Sequence, residues 1–191
     1  HLAQSNFNNS GVFLEKYIRK ARHIEIQIFG NAFGEVVALG ERDCSIQRRN
    51  QKVLEECPAP NFPERVREKM YKTSVEFAKE IGYRNVGTVE FLYDPETENY
   101  YFLEVNTCLQ VEHGVTEEVL GIDLVEMMVK EAANELVNLY TYAKKPKGHS
   151  FQARIYVEDS FHLFQSSAGK LDRIVLSDLS RNETWVRDEL S

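Results

Sequence analysis

Little in this sequence is suited to cross-linking, to membranes or to holding polyanions. Cysteine occurs only three times, at Cys44, Cys57 and Cys108. An odd number without CxxC spacing argues against both a disulfide framework and a zinc site, and it points to a reducing compartment, the cytoplasm or alternatively the mitochondrial matrix. No apolar run approaches the ~18 residues of a membrane span, so no membrane contact is expected. The N-terminus also lacks a signal-like apolar core. Basic residues are in deficit, 23 against 30 acidic ones, for a net charge of −7. That deficit argues against a nucleic-acid partner, which requires clustered positive charge. Nucleotide binding survives it, provided that a divalent cation sits between carboxylates and phosphates. Internal repeats and low-complexity tracts are absent as well.

What is present fits a folded domain. The 191 residues are enough to bury a sizeable core, and 42% hydrophobic with 28% charged residues is ordinary for a globular chain. The first residue is His1 rather than Met, as in a piece of a longer protein. Val12 to Lys20 reads as a short strand and turn. His23 to Glu41 alternates apolar and polar residues around a Gly-containing loop, which predicts a β-hairpin. From Glu64 the period changes to 3.6, with Val66, Met70, Val75, Phe77, Ala78 and Ile81 on one predicted helical face between Pro63 and Gly82. A second hairpin is predicted around Asp94 to Asn99, then a helix from Thr116 to Leu139 opened by a capping-box pattern at Thr116. A basic linker, Lys144 to Gly148, precedes a strand-like FQARIYVED. Hairpins alternating with helices make the class α+β.

The densest chemistry lies in EVNTCLQVEHGVTEEV, Glu104 to Val119, where carboxylates gather without a nearby base. Strand alternation puts Glu104 and Asn106 on one face, and hairpin pairing brings Glu90 beside them. Buried carboxylates repel one another, and a hard cation removes that penalty; Glu90, Glu104 and Asn106 suit Mg²⁺ or Mn²⁺. The competing reading has both glutamates facing solvent, as most strand carboxylates do. Glu112 could serve as a general base, or be a loop residue exposed to water like His113. A second dense stretch, Gly40 to Pro60, carries Arg42, Arg48, Arg49 and Lys52 with Gln47 and Asn50. Arginine forks and lysine point charges hold oxyanions or phosphates, although a solvated loop explains the composition equally well. Arg154 sits within an apolar strand and should face an anion or a carboxylate.

The blocks FLEKYIRKARHIEIQIFG, GERDCSIQRRNQKVLEECPAP, GTVEFLYD, YYFLEVNTCLQVEHGVTEEVLGIDLVE and FQARIYVED, from Phe13 to about Asp159, resemble the biotin carboxylase family. Within it, RRNQKV and PAPNFP look most like the urea carboxylase branch. The resemblance implies the C-terminal part of an ATP-grasp domain over residues 1–145, an antiparallel sheet with flanking helices, and the start of the C-terminal subdomain over 146–191. It implies a ligase that carboxylates biotin on a carrier domain, using ATP and bicarbonate through carboxyphosphate. Glu15, Tyr17 and Ile18 would lie in the hinge contacting adenine, His23 and Gln47 near ribose and phosphates, and Leu92 against the nucleotide. Glu90, Glu104 and Asn106 match the metal positions. Lys52, Gln110 and the Val111 backbone match the groups that hold bicarbonate, Glu112 the base that deprotonates it, and Arg154 the residue beside biotin. The partners implied are the carrier domain, the missing N-terminal part of the carboxylase, and a second copy in a homodimer through the full-length domain.

Several positions depart from the family pattern. Cys108 stands where the family has the Arg that stabilises the biotin enolate, and a neutral thiol cannot replace a delocalised cation. Gly114 replaces a Pro and loosens the loop. Asn50 takes a position often held by His, though Asn is expected in the urea carboxylase branch. Ser160 and Gln165 each replace a Pro, and neither the Gly-rich ATP lid nor the segment following TWV is present. Two readings follow: a carboxylase fragment with little or no ATP turnover by itself, and a non-catalytic structural or interaction module marked by Cys108.

Overall fold

The computed structural model describes residues 2–162 and 164–167. The chain divides into two units, His1–Arg154 and Ile155–Ser191. The first unit starts with a short helix, α1 (Leu2–Phe7), and a coil through residues 8–21. No strand forms between Val12 and Lys20, contrary to the alternation there. Val12, Phe13 and Leu14 are exposed, so nothing covers them as a core face or pairs with them in a sheet.

The hairpin predicted from His23 onward is formed by β1 (Arg22–Gly30) and β2 (Val36–Arg48). β2 then turns directly into β3 (Gln51–Cys57). The stretch that reads as a polar loop is thus a second hairpin, its turn made by Arg49 and Asn50 at φ 53° and 63°. Positive φ at both central residues matches the twist of paired strands, and asparagine tolerates it well.

α2 (Glu64–Glu80) follows, with Pro63 at the N-cap, Glu64 in its first turn and Lys79 in its last, charges that oppose the helix dipole. It buries Val66, Met70, Ser74 and Ala78, a strict i, i+4 row. Phe77 and Ile81, which the periodicity puts on the core face, are instead 39% and 55% exposed, one step round the helix from that row.

β4 (Asn85–Asp94) and β5 (Asn99–Asn106) form the hairpin around DPETEN. Next come α3 (His113–Leu120) and α4 (Leu124–Ala132), in place of the single helix expected from Thr116 to Leu139. Gly121 at φ 61° ends α3, and the Asp123 carboxylate caps α4 by accepting from the Glu126 N–H at 2.7 Å. The helix begins at His113, so Thr116 lies inside it and its side chain is committed elsewhere. A 3-10 turn, Leu139–Thr141, leads to β6 (Ser150–Ala153).

The six strands form one antiparallel sheet in the order β5-β4-β1-β2-β3-β6. Both faces of its centre are covered. Ile24, Ile26 and Ile28 pack with Val66, Met70 and Ala78 of α2 on one side. Phe29, Val37 and Leu39 pack with Val115, Val119, Leu124 and Met127 of α3 and α4 on the other. The second unit shows β7 (Glu158–Asp159) paired with β8 (Gln165–Ser166), joined through a 3-10 turn at Ser160–His162. FQARIYVED is therefore two short strands rather than one. TWV, at 184–186, lies outside the described residues. Among those described, no helix is long and apolar enough to cross a membrane.

Candidate functional site

In antiparallel pairs, residues directly opposite one another share a face. The register sets Glu104 opposite Glu90, Glu90 opposite Glu25, and Glu25 opposite Arg42. One row of charge therefore crosses β5, β4, β1 and β2 on the α3 side of the sheet. Beside it, Asn106 opposes Thr88 and Thr88 opposes Gln27. From β3, an irregular register near Val53 allows both Lys52 and Glu55 to reach the same region.

The acids are neutralised by cations from distant parts of the chain. Arg42 is fully buried; its guanidinium donates to Glu25 Oε2 at 3.2 and 3.3 Å, to Gln27 Oε1 at 2.7 Å and to Thr116 Oγ1 at 3.0 Å. It also donates to Thr88 Oγ1 at 3.2 Å. Lys52 Nζ donates to Glu90 Oε1 at 3.0 Å, to Glu112 Oε1 at 2.8 Å and to Glu25 Oε1. Arg154 donates to Glu55 Oε1 at 2.6 Å through Nε and to Glu112 Oε2 at 2.7 Å through a terminal nitrogen. Glu112, 2% exposed at the N-cap of α3, is thus held on both oxygens.

Glu90, 3% exposed, also accepts from Asn106 Nδ2 at 2.8 Å and Gln110 Nε2 at 3.0 Å. His23 Nε2 lies 2.7 Å from Glu90 Oε2 and 3.2 Å from Glu25 Oε1. Burial opposes the imidazolium, yet the two carboxylates prevail and raise His23 to about 9. Burial would push the Glu25 and Glu90 carboxyls up, and their cationic partners hold both below the usual range. Burial also raises Glu55, against the pull of Arg154.

The geometry thus gathers Glu112, Lys52, Arg154, Gln110, His23, Glu90 and Asn106 into one connected network. Gln47 adjoins it, its amide 3.2 Å from His23 Nδ1. Val111 offers its carbonyl to Gln152 Nε2 at 3.2 Å while its side chain is exposed. Leu92 lies opposite His23 in the β1–β4 ladder. Glu15, Tyr17 and Ile18 belong to the coil before β1, where neighbouring Lys16 stacks on Tyr101 at 5.6 Å. His113 begins α3 and is buried, rather than exposed before the helix.

Glu104 differs from Glu90. It is exposed and makes no side-chain hydrogen bond or ion pair among the described residues. A free carboxylate facing a buried one, with an asparagine amide alongside, is a hard oxygen donor set that fits Mg²⁺ or Mn²⁺. His23, Glu25 and Glu90 also lie close enough to share an ion. Glu25 and Glu90 raise the His23 pKa to about 9, so an ion bound there would displace the imidazole proton. Sequence reasoning missed Glu25 and Glu55, and it treated Arg42 as an anion holder. The available signal was Glu25 and Gln27 alternating with Ile24, Ile26 and Ile28, which reads as a wet face unless a second layer covers it.

Comparison with known proteins agrees with this geometry. The chain is 47% identical over 187 residues to urea amidolyase of Saccharomyces cerevisiae, covering 98% of this chain and 10% of that protein. It matches the crystal structure of Kluyveromyces lactis urea carboxylase at TM-score 0.80 and 48% identity, over 87% of this chain and 15% of that one. It matches the Campylobacter jejuni biotin carboxylase complex with β,γ-ATP at TM-score 0.81 and 44% identity, over 91% of this chain and 38% of that one. The chain thus spans a small part of each, and the resemblance to biotin carboxylases read from its motifs is borne out. Residues 1–140 match the model of the carbamoyl-phosphate synthase L chain, ATP binding domain, and the chain belongs to that family.

Proposed function

We propose that this chain carries the metal, bicarbonate and base groups of a biotin carboxylase site, as part of a longer ATP-dependent ligase of the urea carboxylase kind. The observation that carries the reading is the double clamp on Glu112, with Lys52 on one oxygen and Arg154 on the other. Glu112 takes the proton from bicarbonate, and Lys52 holds the anion beside it. The bicarbonate oxygen attacks the γ-phosphorus of ATP, giving carboxyphosphate and ADP. Glu90, Glu104 and Asn106 would hold the divalent cation, which supplies charge neutralisation on the transferred phosphoryl group. His23, cationic at neutral pH, faces the phosphates, and Gln47 orients its ring. Arg154 lies beside biotin as its deprotonated ureido nitrogen takes the carboxyl group from carboxyphosphate and inorganic phosphate leaves. ATP, bicarbonate and a biotinylated carrier domain are the partners this chemistry requires.

The test uses the full-length protein. Glu112→Gln lowers bicarbonate-dependent ATP cleavage by about 100-fold or more, as expected for loss of a positioned base. An unchanged rate removes Glu112 from the mechanism. A second reading, a non-catalytic relative, is favoured by one observation: Cys108 is an exposed thiol where the family has a cation. Cys108→Arg restores about 100- to 1000-fold in biotin carboxylation if that position alone limits the rate. Full biotin-dependent turnover with Cys108 in place rules the second reading out.

A further inference from the structure

We propose that Glu55 is a positioning residue, which fixes the plane of the Arg154 guanidinium so that its terminal nitrogen meets Glu112. The inference rests on the proposed roles of Glu112 and Arg154 and adds the group that sets their geometry. Glu55 lies on β3 with no solvent exposure. Its Oε1 accepts from Arg154 Nε at 2.6 Å, and its Oε2 accepts no hydrogen bond among the described residues. The other buried carboxylates of the network are gripped on both oxygens: Glu25 by Lys52 and Arg42, Glu112 by Lys52 and Arg154. Glu90 has Lys52, Asn106 and Gln110 on one oxygen and His23 beside the other.

A fully buried carboxylate with an orphan oxygen is costly, and native proteins keep few of them. Here that cost is borne for one short contact. A guanidinium is planar, and its Nε and terminal nitrogens point in fixed directions. Gripping Nε from Glu55 and a terminal nitrogen from Glu112 therefore sets both the tilt and the rotation of the plane. The Arg154 backbone N–H donates to the Val53 carbonyl at 2.9 Å, so main chain and side chain are tied to the same strand two residues apart. Without Glu55, Arg154 keeps its charge but loses its direction, and Glu112 can draw the fork onto itself and away from the substrate side.

Two measurements test this. In the 191-residue chain, the Arg154 Nε–H resonance, assigned with Arg154→Lys, is protected from exchange in the wild type. Glu55→Ala speeds its exchange roughly tenfold or more, as loss of a charge-assisted hydrogen bond requires. Glu112→Gln leaves it protected. In the full-length protein, Glu55→Leu, which keeps the volume and removes the acceptor, raises KM for biotin several-fold without changing KM for ATP. Protection that survives Glu55→Ala overturns the proposal. So does a parallel rise in both KM values, which is the mark of a purely structural role. Should Glu55→Ala fail to fold, Glu55→Leu gives the same exchange readout. A wild-type protein without biotin-dependent turnover refutes the function reading alone, and Nε–H exchange then decides the positioning role.

Discussion

Glu41 and Arg42 are neighbours in β2, both buried, and they point to opposite faces of the sheet. On the α2 face, Glu41 accepts from the Ala59 N–H at 3.2 Å, from Arg67 Nε at 2.8 Å and from Tyr71 Oη–H. Together these donors staple α2 and the turn after β3 to the sheet. On the α3 face, Arg42 spreads its donors over Glu25, Gln27, Thr88 and Thr116, which come from two strands and a helix. Lys52 likewise serves three carboxylates. The comparison separates two uses of buried charge: one closes a structural contact, and the other keeps a set of reactive groups apart and aimed.

The largest effect should come from the shared side. Arg42→Met strips Glu25 of a buried partner and lowers stability by about 3–5 kcal/mol, measured by denaturant unfolding. A loss no greater than that of an exposed arginine would mean that Lys52 and His23 suffice for Glu25. The staple should be cheaper to weaken. Tyr71→Phe removes one of three donors to Glu41 and costs about 1.5–3 kcal/mol, without altering nucleotide binding in the full-length protein. A binding defect in that variant would erase the division between the two faces.

A third effect is a pH signature confined to the α3 face. His23 is raised from 6.5 to about 9 in the fold, so its imidazolium contributes in full below pH 6.5 and is lost as pH climbs to about 9. Stability of the metal-free chain should fall across that window. His23→Gln should flatten the fall, whereas Tyr71→Phe should leave it as it is.

The same contrast explains how much was legible in advance. The hairpins β1–β2 and β4–β5 and the helix α2 follow from alternation, a DPETEN turn and an i, i+4 row, all local signals. The β2–β3 hairpin escaped because ERDCSIQRRNQK is polar on both faces: its residues serve the charged network, so the usual apolar alternation is missing. Arg49 and Asn50 carried the only turn signal. Glu25 escaped for the complementary reason, since α3 and α4, distant in sequence, cover what a single strand presents as its wet side. The break at Gly121 was readable from a glycine two residues ahead of an aspartate cap, yet continuous apolar spacing on either side hid it. Of the candidate site, the groups within Glu104–Glu112 were visible because they are contiguous. Glu25, the partner of Arg42, and Glu55, the partner of Arg154, were not, because only the ladder brings them there.

The row from Glu104 through Glu90 and Glu25 to Arg42 exists because four strands keep a common phase. One residue gained or lost between Val86 and Glu90 would send Glu90 to the oily side of β4 and bring Val89 into the charged layer. Length within these strands is therefore as fixed as the identity of the glutamates, and insertions during evolution or engineering should be tolerated at DPETEN and at Asn31–Gly34, where the chain is free of that phase.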